Sequence, residues 1–377
     1  MLTLEAPDID VPARELLHPL PLRPLAQRPL VSVLVTNYNY AAFLPAALDS
    51  LIAQDYEHWE AIVCDDGSTD ASVQVIRSYA ALEPRIRLVV KKNGGQNAAV
   101  NECHRHLMGD LICLLDADDF FAPEKLSHVV AAFVARPSAG FCHHFARVVD
   151  GRGDELPVTL SHRLDAGWLA ETANNRGGCV YVPTTSSMCF RREVLDELMP
   201  IPAMQPRDAD GYLGMAAQFL TPFVRVDEKL AAYRVHGKNM GGLTEPTPQR
   251  LQYELELIGQ RTATLRWFLA GRFGELYSQQ IRKEDNPQYI QAALKLHAVS
   301  RVDSNVLINA RILIARHPNA KWRAIWQFIF AFPRPLRRRI MPAMHRSHRV
   351  KAVIQKVLVR SSVRHARSFL GTGVLSQ

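Results

Sequence analysis

The sequence lacks the patterns that mark several common classes of protein. Its six cysteines form no CxxC pair and follow no regular spacing, which argues against a zinc or disulfide framework and indicates buried thiols in a reducing compartment. No apolar run approaches the roughly 18 residues that cross a bilayer. No basic segment followed by an apolar one marks a secretory signal at the N-terminus. These absences predict a cytoplasmic protein.

Acidic residues are missing from the C-terminal part of the chain. Residues 304–377 contain 15 lysines and arginines and no aspartate or glutamate. The formal net charge of +8 therefore originates in this region, because residues 1–303 hold all 37 acidic residues and are acidic overall. Any inference from positive charge to a binding partner applies to this region and not to the whole chain.

The sequence divides into three regions. Residues 1–29 are rich in proline and show no hydrophobic period, which predicts an extended, loosely held arm. Residues 30–244 begin with alternating strand-like and amphipathic helical segments, the pattern of a mainly parallel sheet flanked by helices. After Pro246 and Pro248 the apolar spacing becomes helical, so we expect 245–377 to be a helical, basic extension. The predicted fold class is α/β.

Strands and helices of the α/β region are predicted from their hydrophobic periods. Strands are expected at 30–36, 59–64, 86–90, 111–115, 141–149, 180–190 and 223–226. Helices are expected at 41–54, 70–82, 96–107, 123–135, 191–198 and 207–219. Ligands usually bind at the carboxyl edge of such a sheet, so the residues after each strand are the first candidates for a functional site.

Three carboxylates follow the apolar segment Leu111–Leu115 within four positions: Asp116, Asp118 and Asp119. Burying like charges so close together is costly unless a cation neutralises them. A hard divalent cation with oxygen ligands does so, and it would also hold the phosphates of a nucleotide. The competing interpretation is an acidic turn before a helix, with Asp119 as a solvated cap.

A second acidic pair, Asp65 and Asp66, follows the second predicted strand. The residues after it fit a capped turn, with Gly67 at positive φ and Ser68 or Asp70 capping the next helix. The capped turn does not explain why two carboxylates stand where the strand ends. One of them is suited to accept an N–H bond from uracil or a similar base.

Six segments together resemble glycosyltransferase family 2, whose members are inverting sugar transferases of GT-A fold. They occur in the family's order between residues 30 and 240, and no single motif carries the resemblance. The matching segments are 31–39, 65–70, 93–101, 109–119, 207–210 and 233–236. The resemblance implies a GT-A (Rossmann-like) domain over 30–244, a nucleoside diphosphate sugar as donor, with a UDP-sugar favoured, and Mg²⁺ or Mn²⁺ as cofactor.

The resemblance also implies which residues bind the nucleotide. Thr36 and Tyr38, at the end of the first strand, would line the pocket for the base, and Asp66 would bond the base. Asp116 would face the ribose or the sugar. Asp119 would either help to position the donor or cap the following helix.

The metal and catalytic residues follow from the same resemblance. Asp118 would bind the metal and the diphosphate. His236 matches a family position near the diphosphate and the metal, although a lone histidine is as often structural. Asp208 matches the catalytic base that removes the proton of the acceptor hydroxyl, and its competing interpretation is an N-cap. Thr185–Ser187 would shape the acceptor pocket or form a polar loop.

The sequence departs from the family pattern at two positions. Val100 stands where an arginine often helps to hold the nucleotide, and Lys91 or Lys92 either supplies the missing charge or is solvated. Arg207 replaces the glutamate that usually precedes the base. Neither change removes a metal ligand or the base, so we expect an active enzyme with a less certain donor preference.

The C-terminal region is both aromatic and basic. Residues 322–333 are rich in tryptophan and phenylalanine but too short to span a membrane, and arginines follow up to Arg367. A basic amphipathic helix with aromatic residues is typical of a peripheral anchor, here on the inner leaflet of the cell membrane. Packing against the acidic part of the same or another subunit is the main alternative. Nucleic-acid binding has no motif to support it.

The expected function is a metal-dependent inverting glycosyltransferase acting on a glycan or lipid-linked acceptor, in surface-polysaccharide or O-antigen assembly. A nucleotidyltransferase is the alternative enzyme, but it would carry a glycine-rich basic loop where Asn37–Tyr40 stands. A binding-only GT-A protein is the non-enzymatic alternative, and the intact Asp116, Asp118 and Asp208 argue against it. An NAD-dependent enzyme is disfavoured because no GxGxxG follows the first strand.

Overall fold

The computed structural model describes residues 17–161, 164–180, 183–204, 207–237, 239, 247–299 and 312–331. The chain forms two compact units, one of residues 1–241 with 263–280 and the other of 242–262 with 281–377. The strands are β1 (Val31–Asn37), β2 (Trp59–Asp65), β3 (Ile86–Val90), β4 (Leu111–Asp116), β5 (Phe120–Phe121), β6 (Phe141–Val149), β7 (Met188–Arg191) and β8 (Phe223–Arg234). In the described part of the chain they form one eight-stranded sheet in the order β3-β2-β1-β4-β7-β6-β8-β5.

Helices flank the sheet and continue beyond it. They are α1 (Leu44–Ile52), α2 (Ser72–Leu82), α3 (Gln96–His104), α4 (Lys125–Ala135), α5 (Ala170–Asn174), α6 (Arg192–Leu198), α7 (Ala209–Ala217), α8 (Pro248–Phe273), α9 (Glu275–Ser278), α10 (Pro287–Val299) and α11 (Ala320–Ala331). Short 3₁₀ turns occupy Thr185–Ser187 and Lys283–Asp285. The predicted α/β architecture with a helical C-terminal region is confirmed.

The parallel part of the sheet consists of β3, β2, β1 and β4. β1 lies in its middle, and its valines at 31, 33 and 35 are fully buried with α1 and α2 packed nearby. Burying a side chain of this size contributes about 1.5–3 kcal/mol. The continuous apolar runs that predicted these strands therefore reflect a sheet covered on both faces.

The other part of the sheet is mixed. β7 pairs antiparallel with both β4 and β6, whereas β6 pairs parallel with β8, and β5 adds an antiparallel edge. The strand predicted at 180–190 begins only at Met188, because a 3₁₀ turn precedes it. The strand predicted at 223–226 continues to Arg234. Exposed charged residues interrupt its apolar pattern where its pairing with β6 shifts register.

The described part of the proline-rich arm, residues 17–29, is attached to the sheet unit. The Leu20 N–H donates to the Leu220 carbonyl at 2.6 Å, and the guanidinium of the fully buried Arg191 donates to the Arg23 carbonyl. Because backbone groups of the arm have partners in the sheet unit, the expectation of a loosely held arm is wrong for these residues. The predicted domain boundaries at 29 and 244 stay a prediction.

The second unit has its own apolar cluster. Ile290 and Leu294 of α10 pack with Ile325, Trp326 and Ile329 of α11, and all five are buried. The aromatic segment predicted to contact a membrane thus places Trp326 in a protein core. The arginines after Phe332 lie outside the described residues, so the structure does not test the predicted membrane anchor. Within the described ranges, no helix combines the length and apolarity needed to cross a bilayer.

Candidate active site

The carboxyl ends of β1, β2 and β4 meet at one edge of the sheet. Thr36 of β1 is the register partner of Asp116 on one side and of Cys64 on the other, and Asn37 is the partner of Asp65. Parallel neighbours end together, so residues separated by up to 80 positions in the sequence become adjacent. The sequence-based expectation that this edge gathers the acidic residues is met for the ends of β2 and β4.

Asp116 ends β4 in a largely buried position. Its carboxylate accepts a hydrogen bond from Gln96 Nε2 at 3.4 Å and further bonds from the hydroxyls of Thr36 and Thr185. Burial, and next the charge of Asp118, raises the pKa of Asp116 to about 7. A cation bound beside Asp116 would favour its ionised form, because a neighbouring positive charge stabilises a carboxylate.

Asp118 pairs with His236, which lies just beyond the end of β8. Nε2 of His236 donates to Oδ2 of Asp118 at 2.8 Å, and both side chains are nearly buried. The imidazole ring is held between Tyr40 and Phe43, at centroid distances of 5.4 and 4.7 Å. The two residues that the family resemblance assigns to the metal are therefore in direct contact.

Asp119 points into the protein. Its Oδ2 accepts a bond from Ser186 Oγ at 2.7 Å, and its Oδ1 accepts the backbone N–H of Arg234 at 2.9 Å. Burial and the two neighbouring aspartates raise its pKa well above the usual value. The carboxylate caps no helix, so the solvated-cap interpretation does not fit this geometry.

Arg234 is a buried residue that sequence reasoning did not single out. Its Nε donates to the Asp118 carbonyl at 2.8 Å and its Nη1 to the Gly151 carbonyl at 3.0 Å. The guanidinium also lies over the rings of Phe43 and Phe120. Arg234 thereby fixes the backbone of the acidic turn and places a positive charge beside it. Its position in the Tyr233–His236 segment was the only signal in the sequence.

Asp66 is engaged by the loop before α3. Its Oδ1 accepts from Lys91 Nζ at 2.6 Å and from the Gly94 N–H at 2.9 Å, and its Oδ2 accepts from the Gly95 N–H at 2.7 Å. Oδ2 can therefore accept one further hydrogen bond. Of the two interpretations of Lys91, solvation is wrong, because this lysine forms an ion pair with Asp66.

Two tyrosines follow β1 and differ in exposure. Tyr38 is 45% exposed and lies just beyond the end of β1. Tyr40 is half-buried, and burial together with the charges of the three aspartates of the 116–119 turn raises its pKa to about 12. Tyr40 therefore stays a neutral hydrogen-bond donor at physiological pH.

Asp208 occupies the N-cap position of α7 in a left-handed conformation, with φ 74° and ψ 53°. Such a backbone costs a non-glycine residue about 1–3 kcal/mol and persists only where its surroundings hold it. The side chain forms no capping hydrogen bond, so the N-cap interpretation does not account for the aspartate. Its N–H donates to Gln96 Oε1 at 3.3 Å.

The N-terminal end of α3 connects three of the four predicted acidic positions, Asp66, Asp116 and Asp208. Gly95 bonds Asp66, and Gln96 bonds both the Asp116 carboxylate and the Asp208 backbone. Asn97 adds a bond to the Arg207 carbonyl at 3.3 Å. These contacts bring Asp208 to the sheet edge from more than 90 residues beyond Asp116. The sequence marked Gln96 only as part of the matching segment 93–101.

Asp118 and His236 are residue types that bind divalent cations, and their contacting atoms lie 2.8 Å apart. In the hydrogen bond between them Nε2 of His236 carries the proton, so this nitrogen would have to lose it before it could bind a cation. No group of three or more histidine, cysteine or acidic side chains in the described ranges is arranged to hold an ion.

Comparison with known proteins places this site in context. Residues 32–199 match the model described as "Glycosyl transferase family 2". An uncharacterized glycosyltransferase of Nostoc sp. is 35% identical over 213 residues, which cover 55% of this chain and 66% of the relative. TuaG of Bacillus subtilis, whose name assigns it to teichuronic acid biosynthesis, is 31% identical over 113 residues, 30% of this chain and 45% of TuaG. The matches thus span at most about two thirds of these relatives.

A solved structure gives a weaker likeness. TarS of S. aureus, residues 1–349 in complex with UDP-GlcNAc, superposes with a TM-score of 0.48 at 17% identity, covering 84% of this chain and 91% of that one. The family match ends at residue 199, so Asp208 and His236 lie beyond it, and the hydrogen bonds described above connect them to the sheet edge and to Asp118.

Proposed function

This chain belongs to glycosyltransferase family 2, and we propose that it transfers a sugar from a nucleoside diphosphate sugar to a hydroxyl group of an acceptor. The observation that carries the proposal is the contact between Asp118 and His236 at 2.8 Å, in the turn whose first carboxylate Gln96 links to Asp208. A diphosphate-bound cation and a base for the acceptor would thus lie at the same edge of the sheet.

The donor would bind across the ends of β1, β2 and β4. Tyr38 and Thr36 would line the base pocket, and Asp66 would accept the base N–H through its remaining lone pair. Asp116 would bond the ribose or the sugar, and Asp119 would keep the turn in position. A UDP-sugar fits the Asp66 acceptor because uracil presents an N–H on its pairing edge.

Asp118 and His236 would hold Mg²⁺ or Mn²⁺ at the diphosphate. When bound, the ion would stabilise the negative charge that develops on the leaving diphosphate. Arg234 holds the Asp118 carbonyl, and the rings of Tyr40 and Phe43 hold His236. These contacts restrain the Asp118 backbone and the His236 ring before the donor arrives, which lowers the entropic cost of binding.

Asp208 would act as the general base. The acceptor oxygen bonds to the anomeric carbon from the face opposite the diphosphate, while the bond from that carbon to the phosphate oxygen breaks. The acceptor proton moves to the Asp208 carboxylate, and the nucleoside diphosphate leaves with its electron pair. The product therefore has inverted anomeric configuration.

The acceptor is proposed to be a glycan or a lipid-linked sugar in surface-polysaccharide assembly. The name of TuaG, with its 31% identity, supports a glycan acceptor. Contact with the inner leaflet through the basic C-terminus is proposed from sequence alone. Flotation with anionic liposomes would test it: replacing Arg337, Arg338 and Arg339 by glutamine should reduce binding, and unchanged flotation would argue against this contact.

Two substitutions test the metal and the base separately. The wild type is first screened by calorimetry for Mn²⁺-dependent binding of UDP, GDP, dTDP and CDP. Asp118→Asn should abolish this dependence, whereas Asp208→Asn should bind the nucleotide normally and lower turnover of the matching nucleotide sugar by about 10²–10⁴-fold. Asp227→Asn, on the exposed part of β8, is the control and should change neither property.

Each outcome of this test has a clear meaning. Nucleotide binding without turnover of any sugar would favour a binding-only protein. Full turnover in Asp208→Asn would show that the base lies elsewhere, and metal-dependent binding in Asp118→Asn would remove the metal assignment.

A further inference from the structure

Lys125 is a fully buried cation at the start of α4. Lysine is almost never buried completely without a partner, and a positive charge in the first turn of a helix opposes the helix dipole. Burial lowers the pKa of Lys125. The charge of Lys125 therefore stabilises neither the buried core nor helix α4. The reason for a lysine at this position must lie in what its ammonium group contacts.

The Lys125 ammonium contacts the segment beside the acidic turn. Its Nζ donates to the Ser186 carbonyl at 2.7 Å and lies 3.3 Å from the centre of the Phe121 ring. A backbone carbonyl accepts this bond from a charged or a neutral amine, so the contact survives a shift in the pKa of Lys125. Lys125 thereby restrains the backbone of Ser186.

Ser186 in turn holds the acidic turn at two points. Its Oγ donates to Asp119 Oδ2 at 2.7 Å and accepts the N–H of Asp116 at 3.2 Å. The segment of Ser186 is a single 3₁₀ turn, Thr185–Ser187, which has few internal bonds to keep it in place. The position of Asp119, and with it the turn that carries Asp118, therefore depends on a contact made to the Ser186 backbone.

We propose that Lys125 is a positioning residue for the metal-binding turn, acting through Ser186 on Asp116 and Asp119. The inference rests on the proposed function, because it assumes that Asp118 binds a divalent cation together with a nucleoside diphosphate. Partners behind metal ligands commonly contribute 10–100-fold to metal affinity. Lys125 supplies such a contact from α4 through Ser186, whereas His236 bonds Asp118 directly.

The test uses the full chain and measures the Mn²⁺ concentration that gives half-maximal UDP binding in calorimetric titrations. Lys125→Met removes the ammonium group and keeps an apolar stem, and Ser186→Ala removes the hydroxyl. Each should raise the half-maximal Mn²⁺ concentration by about 10–100-fold. The double variant should exceed the larger single effect by no more than about twofold, because both changes break one chain of contacts.

Two further variants separate positioning from simple loss of stability. Phe133→Leu, on the same helix and fully buried, should lower the unfolding free energy and leave the Mn²⁺ dependence unchanged. Lys125→Gln retains an N–H donor on a side chain one atom shorter, and it should recover part of the Mn²⁺ affinity lost in Lys125→Met. If Lys125→Met does not fold, Lys125→Gln and Ser186→Ala provide the same comparison.

The proposal is overturned if Lys125→Met folds and binds UDP with the wild-type Mn²⁺ dependence. It is also overturned if the two single effects multiply in the double variant, or if Phe133→Leu shifts the Mn²⁺ dependence equally. A wild type that binds no nucleoside diphosphate in Mn²⁺ would instead refute the proposed function, so the two failures are distinguishable.

Discussion

Gln96 offers a direct test of how Asp208 is held at the sheet edge. The substitution Gln96→Leu keeps the size of the side chain and removes both of its hydrogen bonds, to the Asp116 carboxylate at 3.4 Å and from the Asp208 N–H at 3.3 Å. The left-handed backbone of Asp208 then loses one of the contacts that hold it. We expect Asp208 to move toward an ordinary backbone conformation.

The size of the effect follows from the geometry. A neutral hydrogen bond contributes about 0.5–1.5 kcal/mol, and bonds at the long end of the accepted range lie at the low end of that scale. Loss of both bonds should cost about 1–2 kcal/mol, which corresponds to about 5–30-fold in kcat/KM. Nucleotide binding in Mn²⁺ should change less than kcat/KM does, because Asp118 and His236 keep their contacts and only Asp116 loses one bond to its carboxylate.

Two quantities are measured for each variant. One is kcat/KM for the nucleotide sugar that the wild type uses, and the other is the affinity for UDP from calorimetry. Asn101→Leu is the matched control, because Asn101 lies on the same helix and also bonds a distant backbone twice, at Ile201. The control should lower stability without a comparable loss of turnover. Wild-type kcat/KM in Gln96→Leu, or an equal loss in Asn101→Leu, would refute the reasoning.

Two further predictions concern stability. His143 is buried, donates to the Asp165 carbonyl at 2.7 Å and has a pKa lowered to about 4, mainly by burial; the unfolded chain therefore binds a proton below pH 6.5 that the folded chain refuses, and stability falls as the pH falls. Between pH 7 and 5 this group should cost about 2 kcal/mol in urea unfolding, and His143→Gln should show a correspondingly smaller decrease; an equal decrease would contradict the assignment. Gly67 has φ +74°, and an added Cβ would lie 2.8 Å from the Asn93 nitrogen, so Gly67→Ala should lower the unfolding free energy by about 1–3 kcal/mol. Gly259→Ala, where an added Cβ meets nothing within 4 Å, is its control and should not destabilise; equal stability of both variants would refute the steric argument.

The sequence by itself determined the parallel half of the sheet and the location of the acidic residues. Apolar β-branched runs bounded by amphipathic helices predict buried parallel strands, because only strands covered on both faces can be apolar throughout. The aspartates after β2 and β4 then had to meet at one edge. Local periodicity suffices for both conclusions, since each depends on residues that are close together in the chain.

Only the tertiary structure decided what holds those aspartates in place. Ser186 and Arg234 reach Asp119 from 67 and 115 positions away, and Lys125 acts on the turn through a carbonyl group. A serine in a short polar segment or a lysine at the start of a helix has no periodic signature that names its partner. Hydrogen-bond partners at such separations are selected by the closing of the whole fold, because loop geometry and side-chain packing set which groups come within 3 Å.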